Sequence, residues 1–209
     1  MRNRGFFAAL TAVLVSSLDA GEGRKIEIFL DPETPKESYG IFSEKGKQTL
    51  KFPVGFGKDG VLPEGSKFEA GKSLLGKFRV NAVLTNGRRF AMEKSLVEKS
   101  GKPEAFLREK LFTNMSSIDF DGDGKGGEYG SAFLGLQPKS ETDQPFHFGE
   151  YRGVFRWYSY ALHGTQDESR IGKCVTGGCI NLPKDALASL ANSIQVGDKV
   201  EIRLRRKNE

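Results

Sequence analysis

Residues 161–182 read ALHGTQDESRIGKCVTGGCINL and contain most of the reactive chemistry of the chain. The whole sequence has two His, His147 and His163, and two Cys, Cys174 and Cys179. A Cys/His pair can therefore be assembled in only four ways, and this stretch holds three of the four side chains. His163 and Gly164 follow a run that reads as a strand. Cys179 follows Gly177 and Gly178, two residues without a Cβ, which leave the backbone open to close approach by a ligand. Their N–H groups can point at a developing oxyanion. A thiol is mostly protonated near neutral pH, and a neighbouring imidazole can take its proton to leave a nucleophilic thiolate. Two other readings stand beside this one. Cys179 can be a small buried hydrophobe with His163 a satisfied turn residue, or Cys174 and Cys179 can form a disulfide that disables the nucleophile.

Outward from this stretch, the pattern is mainly strand. Ile26, Ile28 and Leu30 alternate with other residues, as do Leu50, Phe52, Val54 and Phe56. Phe78, Val80 and Ala82 form a third run after Gly76. Residues 155–162 (FRWYSYAL) read as an aromatic-rich strand. Val200, Ile202 and Leu204 alternate in a closing strand. Pro183 opens a helix with Ala186, Leu187, Leu190, Ala191 and Ile194 on one face. Phe106, Leu107 and Leu111 suit a shorter helix after Pro103. From about Thr85 to Gln144 the chain is polar and glycine-rich with little strand pattern, which reads as a surface insertion or lid over 85–144. There are no internal repeats. The expected fold class is mainly β with α, one domain over 24–206, with one C-terminal helix and a long insertion.

The first twenty residues have the order of an export signal: Arg2 and Arg4, then an apolar run from Phe6 to Val15, then Ser16, Ser17 and Ala20. The run is too short to cross a bilayer of about 30 Å at about 1.5 Å per residue. No Cys is present there to take a lipid, so no stable membrane anchor is expected. An N-terminal core helix is the alternative. Removing residues 1–20 takes Arg2, Arg4 and Asp19 and lowers the net charge from +5 to +4. That mild, mixed charge does not mark nucleic-acid binding. With 209 residues and sixteen Phe, the chain has enough bulk for a core, which excludes disorder throughout.

The acidic loop Asp119, Asp121 and Asp123, interleaved with Gly122 and Gly124, resembles the start of a calcium loop. Position twelve would be Gly130 rather than Glu, so the same residues also read as a polar turn. A structural Ca²⁺ is thus a candidate ligand. No zinc spacing exists.

The elements at 161–182 also carry a family resemblance. His163-Gly164, followed by Thr176-Gly177-Gly178-Cys179-Ile180-Asn181, resembles the signature of the L,D-transpeptidases with a YkuD-type catalytic domain. In that family a His-Gly element precedes a Ser/Thr-x-Gly-Cys-hydrophobic-Asn/Arg element. Residues 73–78 (SLLGKF) resemble the family's strand entry, although the Pro usual there is missing before Leu75. Gly177 stands where many members have His. Papain-like and NlpC-type hydrolases place Cys before His. Sortases place His much farther ahead of Cys and need a following Arg.

The resemblance implies a β-sandwich or barrel and assigns roles. Cys179 would be the nucleophile. His163 would be the general base, oriented by the Gly164 carbonyl. Gly178 and Cys179 N–H groups would serve the oxyanion. Thr176, Gly177, Asn181 and Tyr160 would border the substrate. Phe146 and His147 would line a groove or simply pack. The implied substrate is a peptidoglycan stem peptide, and no cofactor is required. The implied location is the periplasm or cell wall. Water as acceptor would make the same site an L,D-carboxypeptidase. A non-catalytic wall-binding or calcium-dependent protein is the rival from another class. The acceptor and the oligomeric state are not given by the sequence.

Overall fold

The alternation at the N-terminus becomes strand β1 (Arg24–Leu30), with Ile26, Ile28 and Leu30 fully buried. The computed structural model describes residues 23–86, 89–120, 122, 124–140 and 147–206. β2 (Tyr39–Glu44) and β3 (Lys47–Pro53) form a hairpin. Its two-residue turn places Lys45 at φ 50° and Gly46 at φ 74°, the positive-φ pair whose twist matches the flanking strands. Short strands β4 (Phe56–Gly57), β5 (Val61–Leu62) and β6 (Ser73–Leu74) lead into the long β7 (Gly76–Thr85). β8 (Phe90–Met92) pairs back on β7. Helix α1 (Lys94–Lys99) follows. Then α2 (Glu104–Phe106) continues through a π-helical turn (Leu107–Leu111) into α3 (Phe112–Ser116).

The second half of the chain contributes β9 (Ala132–Pro138), the hairpin of β10 (His147–Tyr151) and β11 (Val154–Tyr158), and β12 (Tyr160–His163). β13 (Cys174–Thr176), β14 (Ile180–Asn181), α4 (Lys184–Ser193) and β15 (Lys199–Leu204) complete it. Among the described residues the main sheet runs β14-β12-β9-β7-β15-β1-β2-β3, with β8 on β7. β1 and β15 pair in parallel, Ile26 opposite Val200 and Ile28 opposite Ile202, so both ends of the domain close on the same core. The fold is mostly β with few helices.

Two apolar clusters form. The larger is mainly aliphatic and includes Ile26, Ile28, Val80, Leu134, Leu162, Leu187, Leu190 and Val200, with Phe42, Phe52, Phe56, Phe78 and Tyr160 among them. α4 buries Ala186, Leu187, Leu190 and Ala191 there, the face that the sequence predicts. The smaller is aromatic-rich and joins Leu107, Leu111, Phe112 and Met115 of the 104–116 helix to Tyr129, Phe133, Trp157 and Ala161.

Two expectations are corrected. Residues 85–144 are not an insertion clear of the sheet: β9 lies inside it, between β7 and β12. Its sequence AFLGLQP shows almost no alternation because nearly every position is buried, so the period-two signal vanishes. The helix within that segment is likewise a core element rather than a lid, with Leu107, Leu111 and Met115 fully buried. The aromatic run 155–162 is not one strand. It breaks at Ser159 into β11, which pairs with β10, and β12, which enters the main sheet.

Candidate active site

β12 and β14 run in parallel, with Leu162 opposite Ile180 and His163 opposite Asn181. Side chains alternate between faces along a strand. Leu162 and Ile180 therefore enter the aliphatic core, while His163, Asn181 and, two residues before it, Cys179 turn to the other face. That face opens on a cavity of about 480 Å³ whose lining includes Cys179, His163, Thr176, Gly177, Gly178 and Asn181, and also Tyr160, which belongs to the larger apolar cluster with Leu162.

His163 is 7% exposed. Its Nδ1 donates to the Gly164 carbonyl oxygen at 2.7 Å. A ring nitrogen facing a carbonyl carries the proton, so Nε2 holds the lone pair of the neutral imidazole. The ring packs edge-on against Tyr129, with centroids 4.7 Å apart, and parallel to Phe133. Burial pushes its pKa down to about 4, helped by the Arg170 charge; the Gly164 and Glu128 carbonyls act in the opposite direction. Gly130 makes this seat possible. It adopts φ 63°, and a Cβ there would fall 2.8 Å from the Gly164 Cα.

Both cysteines are free thiols, so the disulfide is not formed. Cys179 Sγ donates to the Ser159 carbonyl at 3.8 Å rather than to His163. Burial raises its pKa to about 11, against the lowering effects of the Ala161 backbone and the Arg156 charge. At neutral pH the resting pair is thus a thiol and a neutral imidazole on one cavity wall.

The loop before Cys179 is held by its neighbours. Thr176 Oγ1 donates to the Cys179 carbonyl at 2.6 Å and accepts the Gly178 N–H at 3.2 Å. The Gly178 N–H is therefore engaged in this state, and an oxyanion role requires it to leave the hydroxyl. Gly178 sits at φ 131°, where a Cβ would come within 2.8 Å of the Lys72 carbonyl oxygen. A Cβ at Gly177 would meet nothing within 4 Å.

Sequence reasoning missed Ser73 as a site support. Its buried hydroxyl donates to the Gly178 carbonyl and accepts the Gly57 N–H, each at 2.9 Å. The signal was present in the Ser73–Phe78 motif but says nothing of a partner more than a hundred residues away. It also missed Arg156, which lines the cavity with its guanidinium Cζ 3.4 Å from the Tyr158 ring centroid and 4.4 Å from that of Phe120.

Other predicted residues fall elsewhere. His147 is exposed and stacks on Tyr158, 4.4 Å between centroids, and does not line the cavity. Phe146, Asp121 and Asp123 lie outside the described residues. Asp119 accepts the N–H groups of Gly122 and Gly124 at 2.6 and 2.8 Å, the pattern of a polar turn. Among the described residues no group of three or more His, Cys, Asp or Glu is placed to hold a metal. No described helix is long and apolar enough to cross a membrane.

The model of the L,D-transpeptidase catalytic domain, the YkuD family, matches residues 28–202. The chain belongs to that family. Solved structures similar to it include an L,D-transpeptidase from Xylanimonas cellulosilytica, with 15% identity over 88% of this chain and 61% of that one and a TM-score of 0.38. An L,D-transpeptidase from Mycobacterium smegmatis gives 18% identity, 87% and 59% coverage, and a TM-score of 0.39. One from Mycobacterium tuberculosis gives 12%, 87% and 57%, with a TM-score of 0.44. The chain spans about 60% of the length of these structures. No curated protein matches it.

Proposed function

We propose that this protein is an exported cysteine L,D-transpeptidase that acts on peptidoglycan stem peptides through a thioester on Cys179. The observation that supports it best is the sharing of one cavity wall by the Cys179 thiol and a His163 imidazole. Nδ1 of that imidazole is tied to Gly164, in a chain of the L,D-transpeptidase catalytic-domain family. The thiol leaves the Ser159 carbonyl as substrate enters and gives its proton to Nε2 of His163. The thiolate attacks the carbonyl of the residue before a D-amino acid. The imidazolium returns the proton to the departing amine, and a thioester remains. An acceptor amine then attacks the thioester, loses a proton to His163, and releases the thiolate with a new amide bond. Cys179 and Gly178 N–H groups hold the oxyanion in both steps. The buried, near-neutral resting pair supports a proton transfer timed by substrate rather than a standing ion pair.

No step needs a cofactor. A Ca²⁺ at Asp119, Asp121 and Asp123 would fix the loop that leads to Tyr129 and remain outside the chemistry. Residues 1–20 would direct the chain to the periplasm or cell wall, where its substrate lies.

The test is incubation of the purified protein with defined tetrapeptide and pentapeptide muropeptides, followed by mass spectrometry. Cross-linked dimers, a carbapenem adduct on Cys179, and at least a thousandfold loss in Cys179→Ala are expected. Tripeptides without dimers would make water the acceptor and the protein an L,D-carboxypeptidase. Full activity in Cys179→Ala would remove the nucleophile from the scheme.

A further inference from the structure

Arg156 is only 6% exposed, yet no carboxylate among the described residues pairs with it and its Nε has no hydrogen-bond partner. A buried, unpaired charge is unfavourable in a folded protein. Here three aromatic rings lessen that penalty. The guanidinium carbon lies over Tyr158 and Phe120 and 5.6 Å from the centroid of Tyr151. Cation–π contacts stabilise the charge through ring faces but leave the in-plane N–H donors without acceptors. The planar fork of those donors matches a carboxylate. Arg156 lines the cavity that holds Cys179 and His163. Lys58 and Arg170 add positive charge to the same wall, against one acidic side chain among the described residues, Glu128. Trp157, next to it on the strand, also lines the cavity, and its buried Nε1 has no partner among the described residues.

We propose that Arg156, held in its ring of Tyr151, Tyr158 and Phe120, is the carboxylate-recognition residue of this site. It binds a carboxylate of the peptide whose carbonyl Cys179 attacks, and so selects anionic stem peptides over neutral ones. This rests on the stem-peptide reading given above. Two carboxylates have the right chemistry: the C-terminal one of the leaving D-amino acid, and a side-chain one on the residue ahead of the cleaved bond. Recognition also orients the substrate, because a fork fixed by three rings holds a carboxylate in one plane.

The experiment has two readouts in the full chain carrying Cys174→Ser, so that Cys179 is the thiol observed. The first needs no turnover: the rate of Cys179 alkylation by iodoacetate, which carries a carboxylate, relative to neutral iodoacetamide. The ratio is expected to fall about tenfold in Arg156→Gln, the order of one close charge contact. It is expected to stay within about threefold of the parent in Arg156→Lys, which keeps the charge and loses the fork. An unchanged ratio in folded Arg156→Gln overturns the proposal, with folding read from the thermal midpoint. If Arg156→Gln does not fold, Arg156→Lys decides on the peptides below.

The second readout is kcat/KM on stem tetrapeptides with a free or amidated C-terminus and with a free or amidated side-chain carboxylate. The parent is expected to prefer one free carboxylate by about tenfold or more, Arg156→Gln to lose that preference, and Arg156→Lys, which keeps the charge without the fork, to lose about threefold of it; an undiminished preference in either variant overturns the proposal. The amide that abolishes the preference identifies the carboxylate. An equal loss on all four peptides assigns Arg156 a structural role and overturns its recognition role. A fall in the alkylation ratio with no peptide turnover at all keeps the carboxylate site and overturns the stem-peptide reading instead.

Discussion

The two faces of the main sheet are built differently. One is covered by a mainly aliphatic cluster, in which Ile, Leu and Val outnumber the Phe and Tyr residues, drawn from both ends of the domain and sealed by α4. The other carries Tyr129, Phe133, Trp157 and the 104–116 helix, and it holds Cys179 and His163. The difference lies in what each side must provide. Branched aliphatics interdigitate at high density and set stability. Aromatic side chains give large flat walls and ring faces with polar edges, so a cavity can be bounded and a cation such as Arg156 kept beneath the surface.

The contrast predicts that damage on each face has a different readout. Leu134 is fully buried in β9 on the aliphatic side. Leu134→Ala is expected to lower unfolding free energy by about 2–5 kcal/mol in denaturant titration. The folded fraction should keep its rate of Cys179 alkylation; a collapse of that rate in folded protein would show the faces to be coupled.

The aromatic face should carry an acid-sensitive contribution. His163 has its pKa lowered from 6.5 to about 4 by burial. Between those values the unfolded chain binds a proton that the folded chain refuses, so stability falls as pH drops through this window. The loss reaches about 3 kcal/mol at pH 4 and below, and this part is absent at pH 7. Unfolding at pH 7 and pH 4 in parent and His163→Phe measures it, since the variant lacks the titrating group. Equal pH dependence in the two proteins would mean that the imidazole is solvated.

The smallest effect tests how the face seats His163. Gly130→Ala adds a methyl against Gly164 at a positive φ. It is expected to destabilise by about 1–2 kcal/mol and to slow turnover by roughly tenfold, as the carbonyl that orients His163 shifts. A stability loss with unchanged kcat would separate the seat from the chemistry.

Much of the aliphatic face is legible in the primary structure. Alternation at Ile26–Leu30 and Val200–Leu204 and the helical spacing after Pro183 correspond to β1, β15 and α4. The aromatic face is not. β9 hides because burial on both sides erases alternation. The helix at 104–116 is split by a π turn and surrounded by charged residues, so its segment resembles a surface elaboration.

By itself the sequence determined which Cys and His side chains are available, their order, and the glycines around Cys179, because local spacing governs which backbone can bend and approach. It also determined the family. Only the tertiary structure decided that Cys179 and His163 share a wall and that Ser73 clamps the Gly178 carbonyl. It alone set Arg156 among Tyr151, Tyr158 and Phe120 beside the thiol. Those relations depend on strand pairing between distant segments and on which face each side chain takes. A one-residue change of register reverses that face without altering a single letter of the sequence.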